Sequence, residues 1–315
     1  MTNPVHRILL PSDFSEGSRE ALKFAATYAH QIGAELRLLH VIDLPHFAYG
    51  DFETTTVSGE TLHSQSVQQA RRRLRDELKH LPDVLRQGTE CAVRTGGAAQ
   101  EITAEAESAN CDLILLATHG RTGLKRMLMG SVAERIVRTA PCPVLTGKFG
   151  AVPVPGATGP ARILVATDTS ELALAGLQYA IGLAGVHTPP AELDLVYVLE
   201  DITTLPAVEW QEFPDITPEL FYARGEERAT AKLREIIQQQ VPDEVNCTIH
   251  VLRGDPVTRL IDFAGSNGTE LVVATTHGWT GLRHVMVGSV AEKLARLSPC
   301  PVLTAKSPLP DGAVA

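Results

Sequence analysis

Residues 113–148 read LILLATHGRTGLKRMLMGSVAERIVRTAPCPVLTGK, and residues 271–306 read LVVATTHGWTGLRHVMVGSVAEKLARLSPCPVLTAK. Without a gap, 20 of these 36 positions are identical at a constant offset of 158. Two unrelated surface segments do not reach that likeness by chance, so one pattern is written twice and each copy must bury its own core. The length of 315 residues leaves room for two domains of ordinary size. The expected division is a first domain over 1–148, a linker over 149–160, a second domain over 161–306 and a tail over 307–315. The linker stretch, FGAVPVPGATGP, is rich in Pro and Gly.

Composition narrows the class. Hydrophobic residues make up 44% and charged residues 21%, an ordinary globular mix. The apolar run near position 113 spans about six residues, far short of the roughly 20 that cross a bilayer. The start, MTNPVHRILL, carries no basic n-region or cleavage-like stretch, which predicts a cytoplasmic protein with no membrane partner. A net charge of −9 argues against a nucleic-acid binder. The cluster Arg71, Arg72, Arg73, Arg75 sits beside Asp76 and Glu77 in a helix-like segment and reads as a solvated helix face. Five cysteines without CxxC spacing read as reduced, buried thiols, with Cys142 and Cys300 placed inside apolar PCPVLT strands.

Strand-like and helix-like segments alternate. Val5–Leu10 reads as a buried strand, Ser15–Gly33 as a helix with Leu22, Ala25, Ala29 and Ile32 on one face, and Glu35–Ile42 as a second strand. A loop with His46, Phe47, Tyr49 and Phe52 leads to a long helix near Leu62–Leu81. Then come strand Cys91–Arg94, helix Ala98–Asn110, strand Asp112–Ala117, helix Ser131–Thr139 and strand Pro143–Thr146. The second copy repeats the order with strands Arg162–Ala166, Leu193–Leu199, Cys247–Leu252, Glu270–Thr275 and Pro301–Thr304. Its long helix is roughly Pro218–Gln240, and the loop before it carries Trp210, Phe213 and Phe221. Such alternation predicts an α/β fold with a parallel, doubly wound sheet.

Two loops per copy fall at the carboxyl ends of strands, where open parallel sheets bind ligands. One is Pro11-Ser12-Asp13, matched by Ala166-Thr167-Asp168. The other leaves the strand ends Leu116-Ala117 and Ala274-Thr275 and runs from His119-Gly120 to Gly130-Ser131-Val132, matched by His277-Gly278 to Gly288-Ser289-Val290. Glycine admits close backbone approach, and a helix N-terminus offers unpaired N–H groups to a phosphate. A bland account stands beside this one. Ser131 to Glu134 and Ser289 to Glu292 fit S-x-x-E, the capping box, and Asp13 and Asp168 suit turns. His119 and His277 have no partner at metal-ligand spacing, so no metal is expected. The chain has no G-x-x-x-x-G-K-[ST] loop, no G-x-G-x-x-G after its first strand and no G-x-S-x-G elbow. No catalytic residue is assigned.

The strand-end Asp, THGRTGLKRMLMGSVAE and the closing PCPVL occur in order and twice, and in this the chain resembles the universal stress protein family in its tandem form, over about 4–148 and 160–306. The resemblance implies two Rossmann-like (adenine nucleotide alpha hydrolase-like) domains, each a five-stranded parallel sheet flanked by helices. A subset of that family binds ATP, with Mg2+ as an accompanying ion, through G-x2-G-x9-G-[ST]. Carried over, the later motif positions are Gly120, Gly130 and Ser131, then Gly278, Gly288 and Ser289. The first glycine falls on Ala117 and Thr275, and the β-branched threonine is the stiffer departure. Asp13 with Val41, and Asp168 with Val198, would hold the adenine and ribose side. Family members associate through their last strands, which implies a pseudo-dimer within this chain and allows a homodimer.

The leading expectation is therefore a cytoplasmic stress-response protein that binds ATP or a related adenine nucleotide as regulator or sensor, with at most slow hydrolysis. An alternative is an interaction module whose aromatic loops, Phe47–Phe52 and Trp210–Phe213, recognise a protein or apolar small molecule. A nucleotide-dependent enzyme rests on fold analogy alone.

Overall fold

A computed structural model describes residues 3–43, 59–118, 129–150, 152, 154–156, 161–201, 217–275 and 288–305. The chain divides into two compact units, one built on Pro4–Val154 and one on Pro155–Ala315.

In the N-terminal unit the elements are β1 (Arg7–Pro11), α1 (Glu16–Ile32), β2 (Glu35–Ile42), α2 (Gly59–Leu78), α3 (Asp83–Arg86), β3 (Thr89–Thr95), α4 (Ala98–Ser108), β4 (Leu113–Ala117), α5 (Ser131–Thr139) and β5 (Val144–Gly147). The strands lie parallel in the order β3-β2-β1-β4-β5. Ile8, Leu9, Leu10, Leu113, Ile114 and Leu115 are fully buried, as strands covered on both faces require. Helix α1 begins where the Ser15 hydroxyl accepts from the Ser18 amide. It ends at Gly33, whose φ of 69° is the left-handed stop that glycine supplies. The short α3 is an element that the sequence pattern did not announce.

The C-terminal unit repeats this plan with β6 (Arg162–Ala166), α6 (Glu171–Val186), β7 (Glu192–Leu199), α7 (Pro218–Gln240), β8 (Cys247–Arg253), α8 (Pro256–Ser266), β9 (Leu271–Thr275), α9 (Ser289–Leu297) and β10 (Val302–Ala305). Its strands run parallel in the order β8-β7-β6-β9-β10. On one sheet face Val272 and Ala274 pack with Leu260, Phe263, Ala291 and Leu294 into a common core.

The two cores are stitched differently. In the N-terminal unit Glu105 of α4, 3% exposed, receives Arg37 Nε at 2.6 Å and pairs with Arg94; Arg37 also pairs with Glu90, and Arg94 with Ser108. In the C-terminal unit buried Asp194 takes the place of Arg37 and meets His250 at 2.8 Å, while Phe263 lies against the His250 ring.

Two sequence expectations need correction. Cys142 and Cys300 precede β5 and β10 rather than lying in them. Burial pushes the thiols of Cys111 and Cys247 up to about 11 and about 12, and raises those of Cys91 and Cys300, so these four stay protonated at neutral pH. Two residues of the stretch 149–160 have partners within their own units. Phe149 is buried against Phe24, and the Gly156 amide donates to Glu270 at 2.9 Å. Finally, Arg71, Arg72, Arg73 and Arg75 are exposed, yet Arg73 is not simply solvated: its guanidinium lies 3.9 Å over the Phe14 ring.

Candidate functional site

In each unit the strand order reverses beside the first strand, between β1 and β4 and between β6 and β9. Connections on the two sides of such a reversal leave toward opposite sheet faces and open a crevice at the carboxyl ends. Both predicted loops leave from those ends.

After β1, the Ser12 amide donates to Leu39 at 2.7 Å, and the Ser12 hydroxyl donates to Glu77 at 3.3 Å. Asp13 accepts from the Ser15 amide at 3.0 Å and the Ser18 hydroxyl at 2.6 Å. Asp168 repeats the arrangement, accepting from both the amide and the hydroxyl of Ser170 at 3.0 and 2.6 Å. One oxygen of each aspartate thus builds the turn into the following helix, as the bland account foresaw. The next residue is left-handed in both copies, Phe14 at φ 64° and Thr169 at φ 63°. For a bulky aromatic and a β-branched residue this conformation costs about 1–3 kcal/mol, and such costs gather at ligand-binding turns. Phe14 is held there between the His40 ring, 4.3 Å between centroids, and Arg73.

The second loop gives the clearest departure from the sequence reading. Helices α5 and α9 start at Ser131 and Ser289, so Gly130 and Gly288 are the cap residues and neither helix has a side-chain cap hydrogen bond. The capping box is not formed. Both serines lie one position too far into the helix, and both are exposed. Among the described residues no side-chain acceptor caps the first-turn amides of either helix. Gly130 has φ −61°, and a Cβ there would meet nothing within 4 Å. Neither backbone conformation nor packing among the described residues therefore calls for glycine at this position. Its amide donates to Thr118 at 3.3 Å, tying the start of α5 to the end of β4. Pro11, Val41 and Ala117 are half-buried, Leu116 is buried and Val132 is 39% exposed.

In the C-terminal unit the corresponding residues come together around one cavity of about 610 Å³. Ala166, Thr167, Asp168, Val198, Ala274, Thr275, Gly288, Ser289 and Val290 all line it. The sequence reading missed Tyr197, Glu200, Phe221, Pro256 and Leu260, which also line it. Only their neighbourhood to β7, to the start of α7 and to the α8 core could have pointed to them. His119, Gly120, His277, Gly278, Phe47–Phe52, Trp210 and Phe213 lie outside the described residues.

Thr275 lines this cavity and packs its methyl group against α6. Its Cγ2 lies 3.0 Å from where a Cβ on Gly176 of α6 would stand. The stiff side chain that made the second copy look less open is therefore received by a helix that lacks a side chain at that point. A double-mutant cycle checks this. Gly176→Ala is expected to gain nothing or to lose stability in the wild-type chain, because the new methyl presses on Thr275. In the Thr275→Ala background it is expected to stabilise by about 0.5–1 kcal/mol, the helix preference of alanine over glycine. Additive effects in urea unfolding would place the Thr275 methyl elsewhere.

Comparison with known proteins settles the lineage. The model of the family described as "Universal stress protein family" matches residues 4–147 and again 160–306. The chain belongs to the universal stress protein family. Universal stress protein MJ0531 of Methanocaldococcus jannaschii is 33% identical over 150 residues, covering 46% of this chain and 84% of that one. Universal stress protein MJ0577 of the same organism is 31% identical over 153 residues, 45% of this chain and 94% of that one. Each relative is thus about one copy long. A universal stress protein from Archaeoglobus fulgidus, known by crystal structure, covers 97% of this chain and 99% of its own with a TM-score of 0.65. At 22% identity that likeness speaks for the fold.

Among the described residues no group of three or more His, Cys, Asp and Glu is placed to hold a metal ion. No helix among them is long and apolar enough to cross a membrane.

Proposed function

We propose that this universal stress protein binds an adenine nucleotide at the strand-order reversal of each half, ATP with Mg2+ in the first, and works as a nucleotide-dependent regulator rather than as a fast enzyme. The observation that carries the reading is the cavity of the C-terminal unit. It joins a strand-end aspartate, an apolar wall and an uncapped helix start on one surface. In this reading the first-turn amides of α5 and α9 donate to phosphate oxygens, and the helix dipole favours the negative charge. Gly130 and Gly288 keep those amides clear of side chains. Asp13 and Asp168 face the ribose or adenine, against Val41 and Val198. Bound Mg2+ would neutralise part of the phosphate charge. From the family likeness we take the cytoplasm as the compartment, domains over 1–148 and 161–306, and pairing through the closing strands.

The experiment is direct. Purified protein is heat-denatured and the supernatant run on an anion-exchange column, and fresh protein is titrated with ATP and Mg2+ in a calorimeter. Released adenine nucleotide or a saturable heat is expected. Absence of both a nucleotide peak and a heat of binding would contradict the proposal.

A further inference from the structure

A second cavity-lining side chain, Leu199, also rests on a helical glycine. Leu199 is the last residue of β7; it lines the C-terminal cavity and presses back against α7. A Cβ on Gly225 would stand 2.9 Å from Leu199 Cδ2 and 3.2 Å from its Cδ1. Gly225 belongs to the buried face of α7, one turn before Ala229 and in line with Leu233 and Ile236. Glycine is disfavoured inside a helix relative to alanine, and here it makes the notch that receives the leucine.

The backbone is held on both sides of this contact. The Leu199 carbonyl accepts from the Gly254 amide at 3.0 Å, which fixes the end of β7. On α7 the Tyr222 hydroxyl donates to Asp201 at 2.7 Å, and Glu226 meets Arg253 at 2.6 Å, so the helix is tied down before and after Gly225. A methyl group on Gly225 would therefore displace the leucine side chain, whose far end turns most easily toward the cavity it already lines. That is the base end of the site. β6 lies between β7 and β9, so the end of β7 stands two strand spacings, roughly 10 Å, from the end of β9. With phosphate at the α9 start beyond β9, the nucleoside base falls against Val198 and Leu199.

We infer that Gly225 is a specificity-determining residue of the C-terminal cavity: by letting Leu199 stand back it makes room for a bicyclic purine, and a side chain in its place turns the preference toward a monocyclic pyrimidine. The inference rests on the nucleotide reading above and adds the residue that sets the class of base.

The test follows the amide resonances of Ser289, Val290 and Ala291, which report the C-terminal half, while the full chain is titrated with ATP or UTP in Mg2+. Gly225→Ala is expected to weaken ATP binding about tenfold and UTP binding by less than about threefold. Adding Leu199→Ala to Gly225→Ala should bring ATP back to within about threefold of wild type. ATP affinity undiminished in Gly225→Ala, ATP and UTP falling alike, or no recovery on removing the leucine would overturn the inference and leave nucleotide binding standing. If ATP and UTP both leave the three resonances of the wild-type protein in place, the nucleotide reading and the inference fall together. Thermal unfolding of each variant separates loss of binding from loss of fold; Gly225→Ala should unfold no earlier than wild type, since alanine is the better helix residue.

Discussion

Replacing Gly130 by aspartate is expected to make the N-terminal unit more stable and at the same time unable to hold a polyphosphate. The two effects have opposite signs for one reason. At φ −61° and ψ 147°, Gly130 already has the extended backbone of a helix cap and lacks only the side-chain acceptor. Aspartate supplies that acceptor for the first-turn amides and places its charge at the positive end of the α5 dipole. Together these are worth about 0.5–1 kcal/mol, or a rise of roughly 2–4 °C in the unfolding midpoint. Among the described residues no packing offsets the gain, because a Cβ at Gly130 meets nothing within 4 Å. The carboxylate would occupy the amides offered to phosphate and repel the phosphate itself, so ATP affinity in this half should fall by at least about 100-fold. Thermal unfolding and calorimetric stoichiometry read the two effects separately. Greater stability with undiminished ATP binding would show that the α5 start is no phosphate site. The interaction-module alternative leads to that outcome, since it assigns this loop a structural task alone.

The second large effect concerns stability. Glu105→Ala should destabilise the N-terminal unit by roughly 2–3 kcal/mol, since it strips the shared acceptor from Arg37 and Arg94. The loss stays below that of a fully enclosed pair because the two arginine side chains keep 25% and 31% of their surface exposed. Burial by itself would raise the Glu105 pKa, but hydrogen bonds from Arg94 and Arg37 prevail and hold it below the ordinary 4.5. A carboxyl depressed in this way contributes stability that is present above its unfolded value and is lost as pH falls through its folded value. Wild-type protein should accordingly lose stability on acidification below about pH 4.5 more steeply than Glu105→Ala does. Denaturant unfolding at neutral pH and across the acid limb checks both parts. A loss under about 0.5 kcal/mol with parallel acid limbs would mean that the arginines find equivalent partners in Glu90, Glu101 and Ser108.

Much of this architecture was legible because the hydrophobic pattern is local and occurs twice. The apolar runs RILLP and LILLA become β1 and β4, buried at Ile8–Leu10 and Leu113–Leu116, and the Gly33 stop falls where the α1 pattern ends. Helix α5 begins at the residue the pattern indicated, yet its meaning changed: S-x-x-E signals a helix start without saying whether the serine stands at the cap or one residue inside. Contacts between distant residues were not legible. Arg37 and Glu105 are 68 positions apart, Ser12 and Glu77 are 65 apart, and no periodicity links them. The Thr275–Gly176 fit left a trace that could have been read. The first copy has Ala117 and Ala21 at the matching places, so one residue grows where the other shrinks. The cavity itself needed the fold, since Tyr197, Phe221 and Leu260 come from three separate elements.

The account stands on the uncapped starts of α5 and α9 receiving nucleotide phosphate, and amide chemical shifts test that most directly. In a titration of isotope-labelled protein, an adenine nucleotide should move the amide resonances of Ser131, Val132 and Ala133, and those of Ser289, Val290 and Ala291, by saturable amounts. If those six resonances stay in place while millimolar nucleotide is added, phosphate does not sit at either helix start and the account is wrong.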